Sequence, residues 1–87
     1  MRTQIFGLLA LESTNVVMKL EKELLERGVE VRVIPVPKEV TANCGLSIKF
    51  NLEDIETVKS ILKEAGISGE YYKITKKGLK KEVERID

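Results

Sequence analysis

The first apolar stretch of the chain constrains the fold more strongly than any other feature. Residues 3–11 (Thr-Gln-Ile-Phe-Gly-Leu-Leu-Ala-Leu) form a short, nearly continuous apolar run. Because side chains in a strand alternate between the two faces of a sheet, such a run is typical of a central strand that is apolar on both faces. Gly7 within the run predicts a close approach by another backbone segment.

Two stripes of apolar residues at helical spacing follow this run, and each stripe ends at a glycine. We expect the first helix to begin after an N-cap at Ser13 and to end at Gly28. The second should begin after an N-cap at Asn51 and end at Gly66. Alternating apolar residues predict three further strands, at about residues 29–33, 46–50 and 67–74.

The resulting order of strand, helix, strand, strand, helix, strand predicts an α+β fold, the ferredoxin-like βαββαβ sandwich. Its four-stranded antiparallel sheet has the strand order 4-1-3-2 and carries two helices on one face. We expect residues 1–74 to form this single-cysteine domain and residues 75–87 to form a charged C-terminal tail. The apolar residues of the tail, Leu79, Val83 and Ile86, lie at helical spacing, which predicts a short helix or a frayed end.

Composition narrows the classes of protein that fit. A chain of 87 residues, 43% hydrophobic and 33% charged, is expected to form one globular domain. A net charge of +1 gives no overall reason to expect nucleic acid, a membrane or an acidic partner. No secretory signal or membrane-length apolar stretch is visible, so our default is a soluble cytoplasmic protein whose single cysteine stays reduced.

That cysteine, Cys44, is the first candidate for covalent chemistry. It follows a proline-marked turn and directly precedes the third strand, so it lies on a loop. In the predicted fold this loop and the start of the first helix lie at the same end of the sheet. A helix N-terminus offers unpaired N–H groups and partial positive charge, which favour a thiolate and lower its pKa. We therefore assign the chemistry to Cys44, with five residues that line the site or stabilise the anion: Asn43, Gly45, Ser13, Thr14 and Asn15.

The residues that are missing restrict this chemistry. The chain has no histidine for a Cys-His dyad and no second cysteine for a redox pair. It also has no ligand set for zinc, and we expect neither a metal nor another cofactor. Transfer chemistry that needs a single thiolate survives these exclusions, as does the simpler interpretation that Cys44 is a small buried apolar residue.

The helices are expected to leave one apolar face of the first strand uncovered. Two alternatives would account for this face. The tail residues Leu79, Val83 and Ile86 would cover part of it, or it would form a homodimer or partner surface. The lysines of the tail could contact phosphates, but interleaved glutamates and the lack of aromatic residues there favour a solvated surface, and we do not expect nucleic acid as a partner.

Three segments carry a resemblance to a known family: Glu12-Ser13-Thr14, Gly28-Val29-Glu30-Val31-Arg32 leading into Pro35-Val36-Pro37, and Asn43-Cys44-Gly45-Leu46. Over roughly residues 4–74 the chain resembles the Se/S carrier protein-like family. The resemblance implies that Cys44 matches the family's cysteine and carries sulfur or selenium as a persulfide or selenosulfide.

We therefore hold two hypotheses from different classes. In the first, the protein is a sulfur or selenium carrier or accessory protein, rather than a stand-alone enzyme, with a cysteine desulfurase or a selenium-pathway protein as its partner. In the second, it is a non-catalytic ferredoxin-like ligand-binding or dimerisation module with a structural cysteine.

Overall fold

A computed structural model describes residues 3–38, 40 and 45–86 of the chain. Its strands are β1 (Thr3–Ala10), β2 (Val31–Pro35), β3 (Leu46–Phe50), β4 (Glu70–Lys77) and β5 (Lys80–Arg85). Its helices are α1 (Thr14–Glu26) and α2 (Ile55–Ala65), and a short 3₁₀ turn, Leu52–Asp54, leads into α2. No helix in these described ranges is long and apolar enough to cross a membrane.

The five strands form one antiparallel sheet in which neighbours follow the order β2-β3-β1-β4-β5. Strands β4, β1, β3 and β2 are therefore adjacent in the order expected for them. The prediction of a four-stranded sheet is wrong, because β5 pairs with the outer edge of β4. The fold is α+β, with a five-stranded antiparallel sheet and two helices.

Strand β5 replaces the short helix that we considered for residues 75–87, and that expectation is also wrong. Strand β4 continues past residue 74 to Lys77, and Lys77 lies opposite Lys80 across a two-residue turn. Gly78 occupies the first central position of this turn with φ +58°. A positive φ at that position alone is the pattern of a type II′ turn, which matches the twist of a hairpin. The turn therefore sends the chain back along β4 before a helix can form.

Both helices pack on one face of the sheet. The buried cluster on this face joins alternate residues of the strands to the apolar stripes of α1 and α2. Its members are Leu9, Leu11, Val17, Leu20, Leu24, Val29, Ile48, Phe50, Val58, Ile61, Leu62 and Tyr71. The helical spacing seen in the sequence thus identifies the sides of the helices that are buried.

The helix ends show which local signals decide the structure. Ser13 is the N-cap of α1, and Gly28 and Gly66 follow α1 and α2 with positive φ values of 83° and 70°, as predicted. The predicted N-cap at Asn51 is wrong: its side chain makes no capping hydrogen bond, and the 3₁₀ turn separates it from Ile55, where α2 begins.

A second cluster lies on the opposite face of the sheet, which we call the open face. It consists of Phe6, Leu8, Ala10, Val40 and Ile74, none more than 9% exposed. Of the three tail residues expected to cover this face, only Val83 packs there; Leu79 is fully exposed and Ile86 packs against the helix-side cluster. The homodimer through this face stays a prediction.

Strand β1 contains one position where side-chain size is critical. A Cβ atom built on Gly7 would lie 2.4 Å from two ring carbons of Phe50, which belongs to the neighbouring strand β3. Real Cβ atoms do not approach so closely, because neighbouring atoms repel well before this distance. A group does approach Gly7 closely, but it is the aromatic side chain of Phe50 and not the backbone that was predicted.

We predict that Gly7→Ala destabilises the protein by about 1–3 kcal/mol, because the new methyl group must displace the buried Phe50 ring. The matched control is Gly45→Ala, where a Cβ would meet nothing within 4 Å and φ is not positive. The control should stay within about 1 kcal/mol of the parent. Urea unfolding of the three proteins measures both changes, and equal stabilities would contradict the packing at Gly7.

Candidate functional site

The connection between β2 and β3 carries Cys44, and both of its ends are held by backbone contacts. Pro35 lies opposite Leu46 in the sheet, and the Val36 N–H donates to the Gly45 carbonyl at 3.0 Å. One turn inside the connection, the Val40 N–H donates to the Pro37 carbonyl at 2.9 Å. Hydrogen bonds therefore join the two ends of the connection and form a turn between Pro37 and Val40.

Val40 shows which side of the sheet this connection occupies. Its side chain is 5% exposed and belongs to the cluster on the open face, together with Phe6, Leu8 and Ala10 of β1. Burying a valine side chain contributes about 1.5–3 kcal/mol, enough to hold a loop segment in place. The loop therefore contacts the sheet on the face that the helices leave uncovered.

Cys44 and Asn43 lie outside the described residues. Gly45, the next predicted site residue, is described, and it is exposed. Space around it is open, since a Cβ there would meet nothing within 4 Å.

The other predicted site residues form the start of α1. Ser13 Oγ accepts a hydrogen bond from the Asn15 backbone N–H at 3.2 Å, and the Ser13 carbonyl accepts one from the Val17 N–H. The side chain of Ser13 is therefore engaged in capping the helix. Thr14 and Asn15 are exposed. Other N–H groups in the first turn of a helix have no partner within the helix and can interact with an anion.

Strand pairing relates these two groups of residues. Ala10, the last residue of β1, lies opposite Ser47 of β3. The chain enters α1 just after Ala10, and Gly45 lies just before Ser47 along β3. The structure thus brings Gly45 and the start of α1 to the same end of the sheet. Contacts between these residues and the Cys44 thiol stay a prediction.

The sequence analysis did not identify two residues that shape this end of the sheet. Ser47 is fully buried, and its hydroxyl donates to the Ile34 carbonyl at 3.2 Å, which ties β3 to β2. Val40 is the largest apolar residue in the polar stretch between Pro37 and Gly45. An isolated valine in a polar loop, next to a strand with two apolar faces, was the available signal for loop anchoring.

Strand β3 places one positive charge on the open face. Lys49 projects onto this face, and its Nζ lies 4.5 Å from the centre of the Phe6 ring. A cation over an aromatic face is attracted to the ring, so Lys49 covers Phe6 as well as adding positive charge. The described residues contain no group of three or more acidic or cysteine side chains that could hold a metal ion.

This arrangement defines a class of protein: a small α+β domain whose one cysteine lies in the connection between β2 and β3, which Val40 anchors to the sheet. Comparison with protein-family models gives a match over residues 6–73 to the family described as "Putative Se/S carrier protein-like". The chain belongs to this family. A search of curated proteins and a search of solved structures each returned no match.

We predict that Val40→Ala lowers the free energy of unfolding by about 2 kcal/mol and also changes the alkylation rate of Cys44 at neutral pH. The rate should move towards that of a free cysteine, because Val40 anchors the loop only four residues from the thiol. Val58→Ala is the matched control: it removes a fully buried valine from the helix side of the sheet. It should destabilise the protein comparably and leave the alkylation rate unchanged, and equal rates in all three proteins would contradict the anchoring role.

Proposed function

We propose that Cys44 carries sulfur or selenium between a donor and an acceptor as a persulfide or selenosulfide. The observation that carries this proposal is the family match, which spans the whole β2–β3 connection and therefore includes the only cysteine of the chain. The family description gives the class of cargo. The chemistry at the level of atoms is our inference.

The transfer step needs one thiolate and no oxidant. The Cys44 thiolate attacks the outer sulfur of a donor persulfide, and a bond forms between Cys44 Sγ and that sulfur. The sulfur–sulfur bond of the donor breaks, and the donor leaves as a thiolate. Release to an acceptor thiolate repeats the same exchange, with Cys44 as the leaving group. The rate of each step depends on the fraction of attacking thiolate and on the pKa of the leaving thiol.

Two features of the described residues support a reactive thiol here. Cys44 is covalently next to Gly45, which lies at the same end of the sheet as the start of α1. A helix N-terminus stabilises a nearby anion through its free N–H groups and partial positive charge. Open space around Gly45 leaves room for the reacting group of another molecule. A carrier of this kind requires a reducing compartment, and we place it in the cytoplasm.

The donor class follows from the chemistry. Enzymes that release sulfur from cysteine hold it as a protein persulfide, and those that release selenium from selenocysteine supply the selenium counterpart. We therefore propose a cysteine desulfurase or a selenium-pathway enzyme as the partner.

Intact-mass measurement tests the proposal. Wild-type protein mixed with a cysteine desulfurase and cysteine should gain the mass of one sulfur atom, and a thiol reductant should remove it. Cys44→Ala should show no gain, since the chain has no other cysteine. A parallel reaction with a selenocysteine lyase and selenocysteine tests selenium as the cargo. No gain on the wild type in either reaction, or an equal gain on Cys44→Ala, would contradict the carrier.

A further inference from the structure

The tip of the β4–β5 hairpin places like charges directly opposite each other. Lys77 lies opposite Lys80, and in the next pair Lys76 lies opposite Lys81. Like charges at directly opposed positions of an antiparallel pair are destabilising. Because successive residues alternate between faces, one lysine pair projects on each side of the sheet. The hairpin tip, Lys76–Lys81, is therefore positive on both sides.

The described part of the chain does not neutralise the pair nearest the turn. Lys76, Lys77 and Lys80 are exposed, and no described carboxylate lies within ion-pairing distance of them. Lys81 is half-buried and makes an interaction of its own, so the charge available to a partner comes from the other three lysines. The acidic residues of β5 lie further from the turn: Glu82 is opposite Thr75, and Glu84 is opposite Lys73.

Apolar side chains are exposed beside these lysines. Leu79, in the turn, is fully exposed, and Ile5 of β1 is 52% exposed. Ile5 lies opposite Thr75, on the same face of the sheet as Lys77 and two residues along β4 from it. Exposed apolar residues bordered by lysines are a common composition of contact surfaces, in which apolar contact holds the partner and charge steers it.

We propose that the hairpin tip, with Ile5, is a docking surface for an acidic protein that has an apolar contact at its centre. Charge complementarity selects an anionic partner, and it would relieve the repulsion between Lys77 and Lys80. The surface lies at the opposite end of β1 from Gly45, about 24 Å away for seven residues of strand. A docked partner at the hairpin tip therefore does not cover Gly45, the described residue next to Cys44.

The described residues favour a protein over the other anionic macromolecules. Single-stranded nucleic acid is bound through exposed aromatic rings, whereas Phe6, Phe50 and Tyr71 are at most 9% exposed. Tyr72, the remaining aromatic residue, is half-buried and lies five residues along β4 from Lys77, away from the hairpin tip. Binding to a membrane surface grows with the apolar area that is inserted, and the two exposed side chains Leu79 and Ile5 offer little of it. A protein surface can contact both apolar residues together.

Binding to defined polymers tests the proposal with the full chain. The probes are a fluorescent glutamate–tyrosine copolymer, polyglutamate, polyuridylate RNA and vesicles that contain phosphatidylserine. Wild-type protein should bind the copolymer most tightly. Lys77→Glu should weaken this binding about tenfold, and the charge-matched Lys22→Glu on α1 should weaken it less than about twofold. Leu79→Ser should weaken binding to the copolymer but not to polyglutamate.

Thermal stability provides a second test. If Lys77 had only a structural role, its replacement would not raise the Tm while lowering the affinity. Lys77→Glu replaces a repulsive pair with an attractive one, so its Tm should rise by about 2–4 °C while its affinity falls. Lys77→Gln should show a smaller change in the same direction for both. The proposal is overturned if RNA or vesicles bind more tightly than the copolymer, or if no probe binds. It is also overturned if Lys77→Glu and Lys22→Glu lose equal affinity, or if the Tm of Lys77→Glu is unchanged.

Discussion

Burial of strand β1 on both faces is the constraint on which the rest of the structure depends. Leu9 packs against the helices, whereas Phe6, Leu8 and Ala10 project to the other side. Two helices can cover only one face of a sheet of this size, so a second layer has to come from elsewhere in the chain. Val40 supplies part of it, with Val36 and Val83, and so one residue of the connection that carries Cys44 is buried on the open face. The packing of the central strand and the position of the candidate site are thus parts of one arrangement.

Local patterns predicted much of this fold. The apolar run of β1, the N-cap at Ser13 and the glycines after both helices each specify structure through contacts within a few residues. The same reasoning failed at residues 75–87. Leu79, Val83 and Ile86 have helical spacing, but Gly78 permits a tight turn and the exposed edge of β4 provides hydrogen-bonding partners. Pairing with the free edge of the preceding strand depends on where β4 ends, which the spacing of the apolar tail residues does not show, and it determined the outcome.

The candidate site was predictable to a similar extent. Reasoning from strand order placed Gly45 and the start of α1 at the same end of the sheet, and the structure has them there. The role of Val40 was not predicted, because it depends on which apolar positions of β1 the helices leave uncovered. The loop thus has a structural reason to lie where it does, and this reason is independent of any reaction at Cys44. A fixed base and a buried anchor are also what a carrier loop needs if donor and acceptor are to meet the thiol in a defined place.

The carrier hypothesis depends on a thiol that is accessible and ionised near neutral pH, and the packed-cysteine alternative requires the opposite. The alkylation rate of Cys44, measured across pH with a small neutral reagent, separates the two directly. The carrier predicts rapid reaction with a midpoint clearly below the free-cysteine value of about 8.5. A rate that rises only near or above that value, or a thiol that stays unreactive until the protein is unfolded, would contradict it.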